Sequence, residues 1–316
     1  MAIADPMLQS LEPSAWARQL VVGAYDLHVH VAPDVMARRI DDISLARRSV
    51  ELGLAGFALK SHYVSTAERA AVVNAAVPGV NALGALTLNA AVGGLNPMAV
   101  EIAAREGARI VWMPTVDARN HRAKRDVMPE GASPPMWLAL QEELDQKGVT
   151  VPPVEVVDER GWLVPQARPV LALVAEHDMV LATGHLSGEE MKVVIEAARE
   201  AGVRRIIATH PEFPLEDMSS DEQRGLLAEG VFLERCFTTP FTGKCDWSRM
   251  VDNIKATGPA NSIVTSDLGQ PHNPPVEDGL ALMADALRAA GFDDSEITAM
   301  IVTNSRKLAG AEELGA

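Results

Sequence analysis

The sequence predicts an α/β protein with a single (β/α)8 TIM barrel, in which eight parallel strands alternate with helices. Short apolar runs rich in Val, Ile, Leu and Ala alternate with helical patterns, as is typical of strand–helix units on a parallel sheet. Eight such runs can be counted: Ala24–Val31, Gly56–Lys60, Val80–Leu86, Arg109–Met113, Met179–Thr183, Arg205–Thr209, Val231–Phe237 and Ser262–Ser266. A barrel of this kind needs roughly 250 residues. The 316 residues therefore accommodate one barrel domain over 1–316, with a terminal arm and one insertion.

Polar residues and glycines mark where the predicted helices begin and end. Ser187 and Glu190 have the spacing of a capping box ahead of a helix over Met191–Ala201, and Gly202 ends that helix. The other predicted helices are a stretch that follows Asp42 and stops at Gly53, Asp221–Glu229 opened by Ser220, Asp246–Thr257, Val276–Ala290, a short helix from Asp294, and the tail Asn304–Gly310.

One region interrupts this alternation between the fourth and fifth strands. Pro114–Pro165 is rich in proline and contains a predicted helix over Pro135–Lys147 and a predicted hairpin over Val154–Pro165 that turns at 159–161. The region also carries a basic cluster of Arg119, His121, Arg122, Lys124 and Arg125. A long loop at the carboxyl ends of barrel strands is where a lid or a substrate-binding element would lie. A surface ornament or an oligomer contact is the alternative.

Composition and charge narrow the classes of partner. The chain has 28 basic and 43 acidic residues, a net charge of −15, which opposes binding to nucleic acid or to an anionic membrane. Cys236 and Cys245 do not have the spacing of a metal site and are expected to be reduced thiols. No signal peptide is recognised, and no apolar stretch approaches the roughly 20 residues needed to span a bilayer. A cytoplasmic location is therefore expected.

The first predicted strand carries a pair of histidines with metal-ligand spacing. His28 and His30 are two residues apart, and alternation along a strand projects both side chains to the same face. Two neutral imidazoles placed in this way can bind one ion at about 2.0–2.1 Å each. By itself this spacing is a weak signal, because chance pairs are common.

Three further polar residues lie at the ends of other predicted strands. His185 follows the fifth strand, His210 directly follows the sixth, and Asp267 directly follows the eighth. The carboxyl ends of the strands form the face on which barrel enzymes place their active sites. The sequence therefore predicts that these residues meet the histidine pair at a metal site.

On these residues the chain resembles the amidohydrolase superfamily. The metal pattern of that superfamily is His-x-His after strand one, His after strands five and six, and Asp after strand eight, and all of these positions are filled here. The tail Thr303–Gly310 is also similar to the Asn-Pro-Ala-Arg-Leu-Leu-Gly ending common in the superfamily. Within it, the chain is similar to an uncharacterised amidohydrolase-like branch.

The sequence departs from the superfamily pattern at strand four. Binuclear members usually carry a carboxylated Lys or a Glu there to bridge two metals, whereas this strand ends in Trp112–Asp117 without either. Lys60 and His62 instead follow strand two. Lys60 could be a carboxylated bridge between metals, a cation that polarises the substrate, or part of a plain salt bridge. His62 could be a ligand of a second metal or a general acid. Whether the site holds one ion or two is therefore open.

The resemblance implies a metal-dependent hydrolase that cleaves an amide, cyclic amide, lactone or ester bond of a small molecule. In such a site a divalent cation lowers the pKa of water towards 7, and Asp267 binds the metal and transfers the proton to the leaving group. Zn²⁺ is the first expectation, while Mn²⁺, Fe²⁺, Co²⁺ and Ni²⁺ remain open. A metal-dependent decarboxylase of the same superfamily is the alternative reaction, and a non-catalytic binding protein is a third interpretation.

Other residues near the same rim are candidate substrate contacts. They are Tyr63, Arg119, His121, Glu234, Arg235 and His272. Glu234 and Arg235 are adjacent on strand seven, so only one of them can face inward. A cation among Lys60, Arg119 and Arg235 that faced inward would favour a substrate with a carboxylate. The resemblance further suggests a homo-oligomer, and no nucleic acid or membrane partner is expected.

Overall fold

A computed structural model describes residues 10–125, 127–132, 136–149, 152–228 and 230–311. Its eight strands form one parallel sheet in sequential order, β1 to β8. Their bounds are β1 Tyr25–Val29, β2 Gly56–Leu59, β3 Asn81–Thr87, β4 Ala108–Trp112, β5 Val180–Ala182, β6 Arg205–Ala208, β7 Phe232–Cys236 and β8 Ser262–Thr265. Each strand coincides with one of the predicted apolar runs, so the predicted (β/α)8 TIM barrel is confirmed.

The barrel closes between its first and last strands. The backbone N–H of His30 donates to Leu268 O at 2.8 Å, and that of Asp267 donates to His28 O at 2.9 Å. The Asp26 carboxylate adds a side-chain contact by accepting from the backbone N–H of Ser266 at 3.0 Å. Closure thus brings the histidine pair and Asp267 side by side through backbone hydrogen bonds.

Helices surround the sheet, and most of them connect one strand to the next. They are α1 Ala15–Leu20, α2 Asp42–Leu52, α3 Ala67–Ala76, α4 Pro97–Arg105, α5 Arg119–Lys124, α6 Met136–Gln146, α7 Ala167–Glu176, α8 Gly188–Glu200, α9 Ser220–Leu227, α10 Thr238–Phe241, α11 Trp247–Thr257, α12 Gly279–Ala289, α13 Asp294–Thr298 and α14 Asn304–Ala309. Buried Ala, Val, Leu and Ile side chains fill the space between sheet and helices. None of the described helices is both long and apolar enough to cross a membrane.

Helix caps follow the sequence signals with small shifts. The predicted capping box of Ser187 and Glu190 is present at the start of α8. Two other helices begin one residue earlier than predicted, because Asp41 caps α2 and Ser219 caps α9. In both cases two adjacent residues of capping type stand in the sequence, and the first of them takes the extended backbone that a cap requires.

The insertion between β4 and β5 contains α5 and α6. The predicted helix over Pro135–Lys147 corresponds to α6, although Pro135 itself lies outside the described residues. The predicted hairpin is reduced to a single antiparallel bridge between Val157 and Leu163. Its turn is held by Asp158, whose carboxylate accepts from the backbone of Arg160 at 2.9 Å. The turn chemistry was therefore correctly recognised, but the flanking residues pair only once.

Candidate metal centre

The carboxyl ends of the strands surround a cavity, and most of the predicted site residues line it. Its lining includes His30, Arg38, Lys60, His62, Trp137, His185, His210, Phe213, Thr238, Thr242, Lys244, Asp267, Gln270 and His272. His28 lies directly beneath, with its imidazole fully buried. Residues far apart in the sequence therefore converge at the end of the barrel where catalytic groups are expected.

Three of the predicted ligands converge on one point. Asp267 Oδ1 lies 3.2 Å from His28 Nε2 and 3.3 Å from His30 Nε2. Ligands bound tetrahedrally at 2.0–2.1 Å are separated from each other by about 3.3 Å. Because the separations from the carboxylate to both imidazoles match that value, the donor set fits a Zn²⁺-like cation.

Neighbouring groups fix the orientation of His28. Glu234 Oε1 lies 2.9 Å from His28 Nδ1 and accepts its proton, which leaves Nε2 as the free lone pair towards the cavity. Burial alone would raise the pKa of Glu234, but His28, together with His210 and Lys60, outweighs burial and lowers the pKa to about 2. The Nδ1 of His30 instead faces Arg38 Nη2 at 3.5 Å, and because a guanidinium only donates, no acceptor holds the His30 proton on Nδ1 as Glu234 does for His28.

Lys60 lies against the same donor atoms. Its Nζ is 2.9 Å from His28 Nε2 and 5.2 Å from the centroid of the Trp112 ring. Burial lowers the pKa of Lys60, so a larger fraction of its amine is neutral than in a surface lysine. The position suits either a cation beside the substrate or a carboxylated lysine at the metal.

His185 and His210 present their rings to the cavity from the ends of β5 and β6. The Nδ1 atom of each faces a partner away from the cavity: that of His185 lies 2.6 Å from His121 Nδ1, and that of His210 lies 3.3 Å from Glu216 Oε2, at ion-pair distance but without hydrogen-bond geometry. Only Nε2 of each ring is therefore available to a metal or a substrate. Their ring centroids are 4.9 Å apart, so both nitrogens serve one part of the cavity.

The hydrogen bonds around His62 determine which of its nitrogens carries the proton. Asn89 Oδ1 accepts from the backbone N–H of Thr115, so its amide nitrogen is the donor to Thr115 Oγ1 at 2.7 Å. The Thr115 side chain is fully buried, and among the described residues the only acceptor for its hydroxyl proton is His62 Nδ1 at 2.9 Å. A buried hydroxyl proton without an acceptor is costly. His62 is therefore protonated at Nε2, which makes it a hydrogen-bond donor to the cavity rather than a metal ligand.

This assignment predicts a change of tautomer when Thr115 loses its hydroxyl. Substituting Thr115→Val should convert His62 from the single Nε2–H form to a mixture, seen in two-bond ¹H–¹⁵N spectra of histidine-labelled protein. We also expect a loss of about 1–3 kcal/mol of stability, because Asn89 and His62 lose a partner. Thr115→Ser keeps the hydroxyl and should keep the tautomer. An Nδ1–H form of His62 in the wild type would contradict the assignment.

Two of the site residues have an uncommon backbone conformation. His210 has φ of 25° and Asp267 has φ of 51°, and only two other non-glycine residues in the described part of the chain share positive φ. Left-handed backbone at a residue other than glycine is strained and is concentrated at functional sites. Close by, Gly269 is required by space, since a Cβ there would lie 1.6 Å from His30 O. The turn after β8 is thus shaped to hold Asp267 against the histidine pair.

Of the predicted substrate contacts, some line the cavity and others point away from it. His272 lines the cavity and is exposed. Glu234 faces the barrel interior, but it contacts His28 instead of the cavity. Tyr63 packs against the ring of His62 with its hydroxyl buried. Arg119 pairs with Glu190 at 3.1 Å on the outer side of the insertion.

Arg235 is also directed away from the cavity. Its guanidinium is fully buried outside the sheet, where it pairs with Glu212 and donates to Thr257 Oγ1 at 3.0 Å. Alternation along β7 turns Glu234 inward and therefore Arg235 outward. The cations that do face the cavity are Arg38, Lys60 and Lys244.

Several cavity residues were not recognised as functional from the sequence. Arg38 and Lys244 line the cavity from segments after β1 and β7, and Glu216, from the segment after β6, lies behind it and faces His210. His121, a candidate substrate contact from the sequence, is instead buried, with its Nδ1 2.6 Å from that of His185. One recognisable signal was Asp26, which precedes the histidine pair by two residues and accepts from the backbone N–H of His28 at 3.2 Å.

The fold and the site together define a (β/α)8 barrel with a candidate metal centre at the carboxyl ends of its strands. The chain belongs to a family described as a family of unknown function, DUF6282, whose model matches residues 23–234. No curated protein matches the sequence.

Solved structures with the same fold support this classification. An amidohydrolase from Pseudomonas aeruginosa aligns with a TM-score of 0.58 at 11% identity, covering 93% of this chain and 99% of its own. A probable dipeptidase, PvdM, from the same organism aligns with a TM-score of 0.60 at 12% identity, covering 95% and 98%. A 2,6-dihydroxybenzoate decarboxylase aligns with a TM-score of 0.52 at 13% identity, covering 92% and 98%. The resemblance to the amidohydrolase superfamily is thus confirmed for the fold.

Proposed function

We propose that this protein is a metal-dependent hydrolase that cleaves an amide, cyclic amide, lactone or ester bond of a small molecule. The observation that carries the proposal is the convergence of His28, His30 and Asp267 at tetrahedral spacing. Zn²⁺ is the first metal to test, because histidine nitrogens and a carboxylate suit it. The same fold occurs in hydrolases and in a decarboxylase, so the fold is compatible with either reaction. The choice between them depends on the residues of the site.

The side chains divide the expected chemistry among them. A divalent cation, when bound, would lower the pKa of water and polarise a carbonyl oxygen. Although burial opposes it, the neighbouring His28, His30 and Lys60 hold the pKa of Asp267 well below its usual range, so this carboxylate is ionised. In the proposed reaction Asp267 would take a proton from the attacking water and deliver it to the leaving group. His62 would donate its Nε2–H to a substrate oxygen.

A metal-dependent decarboxylase is the second candidate. The observation that favours it is the end of β4, where Trp112 packs against His28 at 5.7 Å between ring centroids and neither Lys nor Glu follows. A site without a bridging ligand suits one ion, and a single ion is sufficient for decarboxylases of this superfamily. The cationic side chains of the cavity fit an acidic substrate in either reaction.

The two reactions differ in their products, which gives a direct test. We expect the zinc-loaded protein to form a carboxylic acid, detected by liquid chromatography, from at least one member of a panel of lactones, esters and cyclic amides. An aromatic carboxylate panel, followed by CO₂ release, is expected to give no product. Asp267→Asn serves as the inactive control. Release of CO₂ would favour the decarboxylase, and acid release that persists in Asp267→Asn would argue against the proposed site.

A further inference from the structure

We infer that Lys244 forms a subsite for a substrate carboxylate, so that the substrate is a small organic acid. This inference rests on the proposed function and names the class of its substrate. Three cationic side chains line the described part of the cavity, although the chain carries a net charge of −15. A local concentration of positive charge in an acidic protein marks a place where an anion is bound.

The three cations are not equally available to a ligand. Arg38 is paired with Asp34 at 2.7 Å, and the two side chains are only 2% and 3% exposed. Lys60 is directed at His28 within the donor cluster. Lys244, in contrast, has no carboxylate within 4.0 Å among the residues that the structure describes.

Lys244 is nevertheless held in place. Its Nζ donates to Thr242 Oγ1 at 2.7 Å, and that hydroxyl donates to Thr238 O at 2.6 Å. Thr238 in turn donates its own hydroxyl to Asp267 Oδ2 at 3.0 Å. The short helix α10 therefore ties the lysine to the loop that carries the catalytic carboxylate, and its ammonium group has further N–H donors for a ligand.

The surroundings of Lys244 make an anion favourable there. The ammonium lies 5.9 Å from the centroid of the Phe213 ring, whose other neighbours include His210 at 5.0 Å. Burial lowers the pKa of Lys244, which reflects incomplete compensation of its charge. A carboxylate bound at this point would supply the missing counter-charge through a charge-assisted hydrogen bond. The rest of the substrate would then extend past Phe213 towards the metal centre.

The test compares a carboxylate with its neutral amide. Isothermal titration of the zinc-loaded protein should detect benzoate binding and no benzamide binding. Lys244→Met should weaken benzoate binding by about tenfold or more, as expected for one charge-assisted hydrogen bond. Lys244→Arg should restore most of it. Lys192→Met, which removes an exposed lysine on α8, should leave it unchanged.

The outcomes separate this inference from the proposed function. Unchanged benzoate affinity in Lys244→Met, equal binding of benzamide, or no binding of benzoate would each overturn the carboxylate subsite. Tighter binding of inorganic phosphate than of benzoate would overturn the carboxylate class. The same titrations on chelator-treated protein show whether the effect of Lys244 persists without metal. If it does, the subsite stands even where metal-dependent hydrolysis fails.

Discussion

Replacing Asp267 with Asn is expected to lower the affinity of the protein for Zn²⁺ by at least about 100-fold. Loss of a group that only orients a ligand typically weakens metal binding by about 10–100-fold, so loss of a charged ligand should cost at least as much. Asp267 Oδ1 lies between His28 and His30 and supplies the negative charge of the donor set. An amide at this position keeps the shape of the side chain but removes its charge. Competition with a chromophoric chelator measures the affinity, and metal analysis should give about one ion per wild-type chain.

A graded series makes this prediction specific. Glu234→Gln should fall between the wild type and Asp267→Asn, because the amide oxygen can still accept from His28 Nδ1 but no longer stabilises it by charge. Asp252→Asn, which changes an exposed carboxylate on α11, should bind zinc like the wild type. Full zinc affinity in Asp267→Asn would remove the basis of the proposed function. Equal losses in Glu234→Gln and Asp252→Asn would show that net charge, and not the site, controls binding.

The fold and the centre of the site could be predicted because both follow from strand ends. Each parallel strand of a barrel begins at one face and ends at the other, so a residue that directly follows an apolar run has a known position. His210 and Asp267 are such residues, and counting strands was sufficient to bring them together. The same rule places Lys60 and His62 at the end of β2.

Residues on loops could not be placed in this way. Lys244 lines the cavity from the segment that follows α10, and Arg38 lines it from a loop in which it pairs with Asp34 at 2.7 Å. Neither path leaves a periodic signal in the sequence. The direction of a strand side chain is a separate limit. Alternation places Glu234 and Arg235 on opposite faces, but only their contacts in the structure show that Glu234 is inside.

The outward position of Arg235 leads to the second large effect, which concerns stability. Arg235→Met should destabilise the protein by about 3–5 kcal/mol, the usual cost of leaving one charge of a buried pair uncompensated. Its partner Glu212 is 1% exposed and, among the described residues, would retain the neutral donors Gln223 at 3.1 Å and Asn253 at 3.0 Å. For a chain of this length such a loss corresponds to a fall in melting temperature of roughly 5–8 °C.

The double substitution Arg235→Met with Glu212→Gln removes both charges and should recover a large part of the lost stability, whereas two independent sites would show additive losses. Thermal unfolding measures the stability, and chelator competition on the folded variants should give the wild-type zinc affinity, because Arg235 contacts neither His28 nor Asp267. A loss of zinc or benzoate binding in Arg235→Met without a fall in melting temperature would contradict the outward position and support the role of substrate contact predicted for Arg235 from the sequence. We expect the fall in melting temperature because Arg235 links β7 to its neighbours. It donates to Thr257 on α11 at 3.0 Å and to Ser262 on β8 at 3.1 Å.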